Sequence, residues 1–245
     1  MILLVPEMVL RRTPSREDGV RRSNELRLRA YGAELILRAT VLLRLPQLTG
    51  VSAAAIFQRF YYRRSLLEFD VRVLAPAALL LACKLEETHR GLRDIVVVFY
   101  RLRMRALRSE SAAAVGTDKS LYAGIPTSGP SAEDIAELKQ AVMLGERHIL
   151  RELGFVAATL LEHPHKYVLQ FVKSLKKTSD WVLCELAQTA WNFLNDATRA
   201  PLCCKFQPHE IACAGIFLAA RKIGLRLPSQ PPWYAVFDTD PAALR

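Results

Sequence analysis

The chain has 245 residues, of which 51% are hydrophobic and 24% are charged. That length allows one large domain or two small ones, and the composition is too apolar for an intrinsically disordered protein. The formal net charge of +10 at pH 7 comes from the first half, because residues 1–108 hold 20 Lys or Arg against 10 Asp or Glu, while residues 109–245 hold 14 of each kind. A basic half is typical of a protein with an acidic partner, and equally of a well-solvated Arg-rich helical surface.

The cysteines and the apolar runs bear on the cellular compartment. The five cysteines, at 83, 184, 203, 204 and 213, include no CxxC pair. An odd number without disulfide-framework spacing indicates reduced thiols in a cytosolic or nuclear protein. The apolar start lacks a basic region and is interrupted by Pro and Glu, so it is a poor signal peptide, and no run reaches the ~18 apolar residues of a membrane span. We expect a soluble, intracellular protein that does not contact a membrane.

In chain order, residues 1–22 are expected to form an unpacked N-terminal arm. Apolar residues at three- and four-residue steps then predict five helices, at about 24–45, 51–65, 70–87, 92–103 and 131–153. The helix at 70–87 is apolar nearly all round, as expected for the centre of a domain, and Pro76 within it predicts a bend or a late start. Residues 109–130 have the composition of a loop.

The second part of the chain repeats this plan. The segments HPHKYVLQFVKSL, DWVLCELAQTAWNFLNDA and PHEIACAGIFLAARKIG predict three helices, and PPWYAVF predicts a short fourth. ALLLACKLEE in the first half and IACAGIFLAARK in the second are both Ala/Cys-rich apolar helices that end in charge. Two such series of helices predict an all-α protein that arose by internal duplication.

Several motifs are similar to those of a known family. LACKLEETHRGLRDIV, GERHILRELGF, LEHPHKY, AWNFLNDATR and FQPHEIACAGIFLAAR resemble, in this order, the segments of two successive cyclin boxes. TPSREDG, ELRLRAYGAELILRATVLLRLPQ, FQRFYYRRS and PPWYAVFDTD resemble the L-type cyclins of transcription and splicing. The resemblance covers about residues 13–240 apart from the loop at 109–130.

This resemblance implies tandem cyclin-box folds, each a bundle of about five helices around a central helix. The implied domains are an arm at 1–22, a first box at 23–155 and a second box at 156–245. Because the given sequence ends at Arg245, the second box is expected to lack its final helix. The given sequence also contains no Arg/Ser-rich tail of the kind that L-type cyclins usually carry.

In cyclins, the lysine and glutamate that match Lys84 and Glu146 clamp backbone groups of the mobile regulatory helix of a protein kinase. The resemblance implies the same role here, with Leu81, Leu85, Leu150 and Phe155 as the apolar rim of the kinase-binding site. From the residues alone, Lys84 could equally be a lysine favoured by the dipole at a helix end, and Glu146 a solvated edge carboxylate. Each of the four apolar residues could equally belong to the core.

Other candidate sites are weaker. Glu86 and Glu87 diverge by about 100° on a helix and do not converge on one substrate. His163 and His165 flank Pro164 without a third ligand at metal spacing, so we expect no metal site. Since no phosphate loop or nucleophile elbow is present either, we expect no enzyme activity and no cofactor. Arg101, Arg103, Arg105 and Arg108 predict either a weak, non-specific and salt-dependent contact with nucleic acid or a contact with an acidic kinase surface.

The resemblance implies a nuclear regulatory subunit that forms a heterodimer with a cyclin-dependent serine/threonine kinase and activates it, in RNA polymerase II transcription and pre-mRNA processing. Splicing or transcription proteins would be further partners. One alternative is a nucleic-acid-binding factor that resembles TFIIB, which would be expected to have a zinc ribbon and two basic repeats. Another is a degenerate cyclin scaffold that binds no kinase.

Overall fold

A computed structural model describes residues 4–114, 130–156, 162–175, 180–230 and 232–239. Within these residues the protein is helical and has no β-strand, which confirms the all-α prediction. The helices are α1 (Glu7–Arg11), α2 (Pro14–Glu17), α3 (Arg22–Leu42), α4 (Gln47–Phe60), α5 (Val71–Leu85), α6 (Leu92–Ala114), α7 (Ala132–Glu152), α8 (His165–Ser174), α9 (Asp180–Ala197), α10 (Leu202–Lys205) and α11 (Pro208–Ile223), followed by a 3₁₀ helix at Trp233–Phe237.

The chain divides into two compact units. The first unit is Pro14–Phe155, and the second unit is Val156–Arg245 together with Met1–Thr13. In the first unit, α5 lies at the centre and packs against α3, α4, α6 and α7. Its alanine-rich sequence allows this, because small side chains let the neighbouring backbones approach.

Helix α5 begins with a side-chain cap and passes through a proline. The Asp70 carboxylate accepts a hydrogen bond from the backbone N–H of Arg72, 2.8 Å away, and so satisfies one free donor of the first turn. The helix starts at Val71 and continues through the buried Pro76 to Leu85, so the late start that Pro76 suggested is excluded. The backbone bond that Pro76 cannot donate would fall near the helix start, on the Arg72 carbonyl.

Helices α4 and α7 bury their residues in different patterns. In α4 every residue from Thr49 to Phe60 is buried. In α7 the buried residues are Val142, Gly145, Glu146 and Ile149, at the three- and four-residue steps of a single helix face. Helix α4 is therefore enclosed on all sides, whereas α7 presents one stripe to the core.

A charged cluster is buried on the side of α3 that faces α4. Arg29 is 1% exposed and donates to the Gln58 side chain at 2.9 Å and to the Gln58 carbonyl at 2.6 Å. Its guanidinium also lies 3.3 Å from the Glu25 carboxylate and 4.1 Å from the Tyr62 ring centre. Arg16 donates to the other Glu25 oxygen at 2.7 Å. The buried charges are thus paired and hydrogen-bonded, as their desolvation requires.

Close backbone packing explains a glycine in α3. A Cβ at Gly32 would lie 2.2 Å from the Phe57 ring and 2.6 Å from the Val71 side chain. Phe57 is fully buried and cannot move aside easily. The crossing of α3 over α4 and α5 therefore depends on the missing side chain.

Two predictions about irregular segments are wrong. Residues 14–22 are not an unpacked arm, because Pro14–Glu17 is helical and the buried Ser15 accepts a hydrogen bond from the Leu66 backbone N–H at 3.0 Å. Helix α6 continues to Ala114, so residues 109–114 of the predicted loop are helical. Residues 115–129 of that loop lie outside the described residues.

In the second unit, α11 is the central helix and packs against α8, α9, α10 and the 3₁₀ helix. Gln207 and Glu210 form a capping box at its start, and Gly224 ends it at φ +72°, a conformation that favours glycine. Phe171 and Phe237 stack with ring centres 3.8 Å apart, which holds the 3₁₀ helix against α8. Residues 240–245, which bear on the predicted lack of a final helix, lie outside the described residues.

Among the helices of the described residues, none combines the length and the apolar character that crossing a bilayer requires.

Candidate functional site

The predicted site residues lie where α5 and α7 pack together. Gly145 makes the approach of these helices close, since a Cβ there would lie 3.0 Å from the Ala77 Cβ. Lys84 is in the last turn of α5, and Glu146 follows Gly145 on the buried stripe of α7. Residues separated by 62 positions in the sequence are thereby brought into contact.

Lys84 and Glu146 form an ion pair at the edge of this interface. The Lys84 Nζ lies 2.6 Å from Glu146 Oε1 and 2.8 Å from Oε2. Only the contact with Oε2 has hydrogen-bond geometry, and the buried Oε1 has no hydrogen bond within the described part of the chain. The side chain of Lys84 is 54% exposed and that of Glu146 is 9% exposed.

This asymmetry determines what the pair can do. An ammonium group has three donors and a carboxylate can accept about four hydrogen bonds, so neither group is saturated by the other. Because the carboxylate is largely buried, each further hydrogen bond that it accepts would offset part of its desolvation. The pair can therefore donate through Lys84 and accept through Glu146 when a partner with free backbone groups covers it.

The four predicted rim residues differ in exposure. Leu81 is 3% exposed and belongs to the core, whereas Leu85 and Leu150 are half-buried. Phe155 is 75% exposed. Three of the four are therefore at least partly exposed, whereas Leu81 is part of the core.

Phe155 is held outward by an unusual backbone. It has φ +59°, directly after Gly154 at φ +64°, and its N–H donates to the Leu150 carbonyl at 2.9 Å. A positive φ is rare for a large aromatic residue and disfavoured by about 1–3 kcal/mol. Arg44, Glu87 and Asp238 share this left-handed conformation, so at Phe155 it marks the turn that ends α7.

The residues that fix the end of α7 were not predicted. Arg64 donates to the Glu152 carboxylate at 2.8 Å, and Arg63 donates to the Glu152 carbonyl at 3.4 Å. The hydrogen bond and charge of Glu152 raise the pKa of Arg64 above its ordinary value. These contacts tie the last turn of α7 to the segment after α4, and an RR pair in a sequence does not distinguish this role from a solvated surface.

The end of α5 is fixed by its own set of contacts. Ser52 donates to Glu86 at 2.5 Å, and the hydroxyls of Thr49 and Thr88 lie 2.9 Å apart. Glu86 is half-buried, and its carboxylate holds the end of α5 against α4. Since α4 supplies both Ser52 and Thr49, it orients the turn in which Lys84 lies.

The HPH segment has a structural role in the second unit. His165 is buried, its Nε2 lies 3.0 Å from Asn195 Oδ1 and its ring meets Trp191 edge-on. Burial lowers the pKa of His165, and burial together with the charge of His165 lowers the pKa of His163 to about 4. Within the described residues no group of three His, Cys, Asp or Glu side chains is placed to hold a metal ion.

A central small-residue helix in each unit, and in the first unit a lysine–glutamate pair between α5 and α7, define a two-unit helical protein of the cyclin type. The profile described as "Cyclin, N-terminal domain" matches residues 7–157, which is more than half of the chain. The chain belongs to the cyclin family.

Curated relatives agree with this assignment. The chain is 37% identical to "Cyclin-L1-1" of Arabidopsis thaliana over 96% of its own length and 51% of that protein. It is 36% identical to "Cyclin-L1" and 37% identical to "Cyclin-L2" of Homo sapiens, over 96% of its own length and 41% of each relative. The chain thus spans about half the length of these relatives or less.

Solved structures share the fold. The chain aligns over its full length with 69% of a chain in the "Crystal Structure of the yeast RNA Pol II CTD kinase CTDK-1 complex", at a TM-score of 0.74 and 19% identity. It also aligns, over 89% of its length and 60% of the other chain, with a chain of the CAK complex from Chaetomium thermophilum, at a TM-score of 0.62 and 20% identity. At these identities the likeness concerns the fold.

Proposed function

We propose that the chain is a regulatory subunit that binds a cyclin-dependent serine/threonine kinase and activates it. The observation that carries the proposal is the Lys84–Glu146 pair, with its half-exposed ammonium and its largely buried carboxylate. Charged hydrogen bonds from both groups would fix the orientation of a docked kinase helix as well as adding affinity. The exposed Phe155 and the half-buried Leu85 and Leu150 would supply apolar contact beside them.

Activation would follow from a difference in affinity. A kinase whose regulatory helix has an active and an inactive position shifts toward the position that the cyclin binds better. The rigid attachment of α5 to α4 through Ser52 and Glu86 supports such a role, because a fixed surface selects one position of its partner.

The decisive experiment measures kinase capture and folding on the same preparations. The tagged chain is used to capture kinase from nuclear extract, and the captured kinase is identified. Lys84→Ala and Glu146→Ala should each reduce capture by roughly thirty-fold or more, since truncating one partner of a desolvated charged contact costs about 2–5 kcal/mol. The double variant should lose less than the sum of the single variants, because both groups serve one docked helix.

A matched control is available on α3. Arg38 and Glu34 form an exposed i,i+4 pair with a 2.7 Å contact, so removing it should leave both capture and the melting temperature nearly unchanged. A pair that serves only the core would behave differently: its variants would melt earlier and capture as much kinase per folded molecule. Full capture by a folded Lys84→Ala/Glu146→Ala variant would refute the assignment.

We further propose a nuclear role in RNA polymerase II transcription and pre-mRNA processing. The support is the similarity to proteins named Cyclin-L1 and Cyclin-L2, together with the shared fold of a chain from the yeast RNA polymerase II CTD kinase complex. The family match favours this proposal over a TFIIB-like factor. The test is whether the captured kinase phosphorylates a peptide of the polymerase C-terminal repeat, and whether depletion of the protein changes intron retention. Unchanged splicing would limit the proposal to transcription.

A further inference from the structure

The second unit contains a groove that the proposed kinase site does not use. It lies between the C-terminal turn of α11 and the segment that leads into the 3₁₀ helix, and its volume is about 470 Å³. Apolar residues form most of its lining: Phe217, Leu225, Leu227, Pro228, Trp233 and Tyr234. Ligand pockets in proteins commonly have volumes of about 300–1,000 Å³, so the groove can hold one or two large apolar side chains.

The groove is formed by backbone hydrogen bonds within the second unit. The N–H of Leu225 donates to the Ala220 carbonyl at 2.9 Å, which turns the chain back after Gly224. The N–H of Trp233 donates to the Pro228 carbonyl at 3.2 Å and closes the far wall. Because Trp233 is 7% exposed, its ring anchors that wall in the core. The surface is thus preorganised, and a ligand would not have to order it.

The charges at the groove are of one sign. Arg221 and Arg226 are exposed and line it, and none of its described lining residues is acidic. Guanidinium groups suit carboxylates, which they can bind with two parallel hydrogen bonds. An apolar floor with a cationic rim is therefore complementary to a segment that carries large apolar side chains next to Asp or Glu.

Two classes of macromolecule carry negative charge, and the aromatic groups distinguish them. Single-stranded nucleic acid is bound through exposed ring faces on which bases stack. Here Trp233 is buried, and the Arg221 guanidinium lies over the Phe217 ring, 5.9 Å from its centre. Tyr234 is then the one partly exposed ring of the described lining that neither burial nor a guanidinium covers, and a single such ring favours a peptide over a strand of stacked bases.

We propose that this groove is a docking site for a short acidic peptide segment with a large apolar anchor residue, in which the anchor fills the apolar floor and Arg221 and Arg226 bind the flanking carboxylates. The groove residues belong to the second unit and those of the proposed kinase site to the first, so this proposal does not rest on kinase binding.

The test begins with a random-peptide display library selected against the purified full chain. Selected peptides are then labelled and titrated by fluorescence anisotropy. They should combine Asp or Glu with a large apolar residue, and Arg221→Glu/Arg226→Glu should weaken their binding at least about tenfold. Leu227→Ser should also weaken binding but leave its salt dependence intact, because it removes apolar contact and no charge.

Charge-matched and folding controls make the result decisive. Lys173→Glu/Lys205→Glu makes the same charge change at exposed positions elsewhere on the second unit and should retain binding. Circular dichroism and tryptophan fluorescence confirm that each variant is folded. The proposal is overturned if no peptide is selected, if both double variants bind the selected peptides equally, or if the arginine variant instead loses binding to a single-stranded polyuridine probe alone.

Discussion

The two units place the same kind of helix at their centres but stabilise its surroundings differently. Between α3 and α4, the first unit buries the charged groups of Arg29 and Glu25 in one hydrogen-bonded cluster. Around α11, the second unit has an apolar core, and the buried His163 and His165 have lowered pKa values that favour the neutral form. The first unit therefore depends on retaining its ion pairs, and the second on remaining uncharged.

This difference can be measured because the tryptophans are unevenly placed. The three tryptophans, at 181, 191 and 233, all belong to the second unit. Tryptophan fluorescence therefore follows the unfolding of the second unit, while far-ultraviolet circular dichroism follows the helices of both. A comparison of the two signals separates the units.

Removing the buried guanidinium should have the largest effect. Arg29→Ala leaves Glu25 buried with Arg16 as its remaining cationic contact, and it removes the two guanidinium donors that bond the Gln58 side chain and the Gln58 carbonyl. Breaking a buried pair by removing one partner costs about 3–5 kcal/mol, so the unfolding midpoint by circular dichroism should fall sharply. The exposed Arg38→Ala should change stability by less than about 1 kcal/mol. If the tryptophan signal shifts as far as the circular dichroism signal, the cluster does not act on the first unit alone.

Lowering the pH should destabilise the second unit before the first. The folded pKa of His163, about 4, lies below the ordinary value of 6.5, so the unfolded chain binds a proton that the folded chain excludes. This contribution is fully present above pH 6.5 and is lost as the pH falls toward 4, which amounts to about 2 kcal/mol between pH 7 and pH 5. Urea unfolding followed by tryptophan fluorescence at the two pH values measures it. His163→Gln should flatten the dependence, and an unchanged pH slope in His163→Gln would contradict the prediction.

Replacing a buried glycine by alanine should destabilise the first unit more than the second. Gly32→Ala would put a Cβ 2.2 Å from the fully buried Phe57 ring, and overpacking of this kind costs about 1–3 kcal/mol. In Gly215→Ala the nearest atom is the end of the Leu194 side chain at 3.1 Å, which can shift by a few tenths of an ångström. The helix propensity of alanine, about 1 kcal/mol better than glycine, should offset that contact. Chemical unfolding of Gly32→Ala and Gly215→Ala measures the two changes in stability. Equal destabilisation would show that the packing around the two glycines is equally tight.

The smallest expected effect concerns the end of α11. Gly224 has φ +72° and a Cβ added there would meet nothing within 4 Å, so Gly224→Ala introduces backbone strain without a clash. A left-handed residue other than glycine costs about 1 kcal/mol. Gly224→Asn should recover part of this loss, because asparagine tolerates the conformation. Thermal unfolding followed by tryptophan fluorescence measures both; a loss in Gly224→Asn as large as that in Gly224→Ala would point to a cause other than φ.

Much of this fold can be predicted from the sequence, since its helices are long and strongly periodic. The segment predicted as DWVLCELAQTAWNFLNDA is α9 from its first residue to its last. The short helices α1, α2 and α10, of four or five residues, contain too little of a helical period to be recognised. The predicted end of α6 is too early because residues 109–130 as a whole have the composition of a loop, although the alanines at 112–114 favour a helix.

The candidate site was only partly predictable. Lys84 and Glu146 match the clamping lysine and glutamate of cyclins, whereas no pattern in the residues themselves indicates that the two side chains are in contact. Arg29 illustrates the limit, because an arginine on a helix is normally at the surface. Its burial depends on the Gln58 carbonyl, a backbone group that no sequence pattern reports. The groove beside α11 depends on the path of non-helical chain, which propensities do not determine.

The burial of α4 has a consequence for how sequence can vary in this protein. Since every position from Thr49 to Phe60 is enclosed, no face of that helix is free to accept larger or charged residues. In a complete substitution scan α4 should be intolerant along its whole length, without any helical rhythm. Helix α7, with one buried stripe, should alternate between sensitive and permissive positions with a period of about 3.6 residues. Among related sequences, substitutions are therefore expected to accumulate in α7 and to be rare in α4.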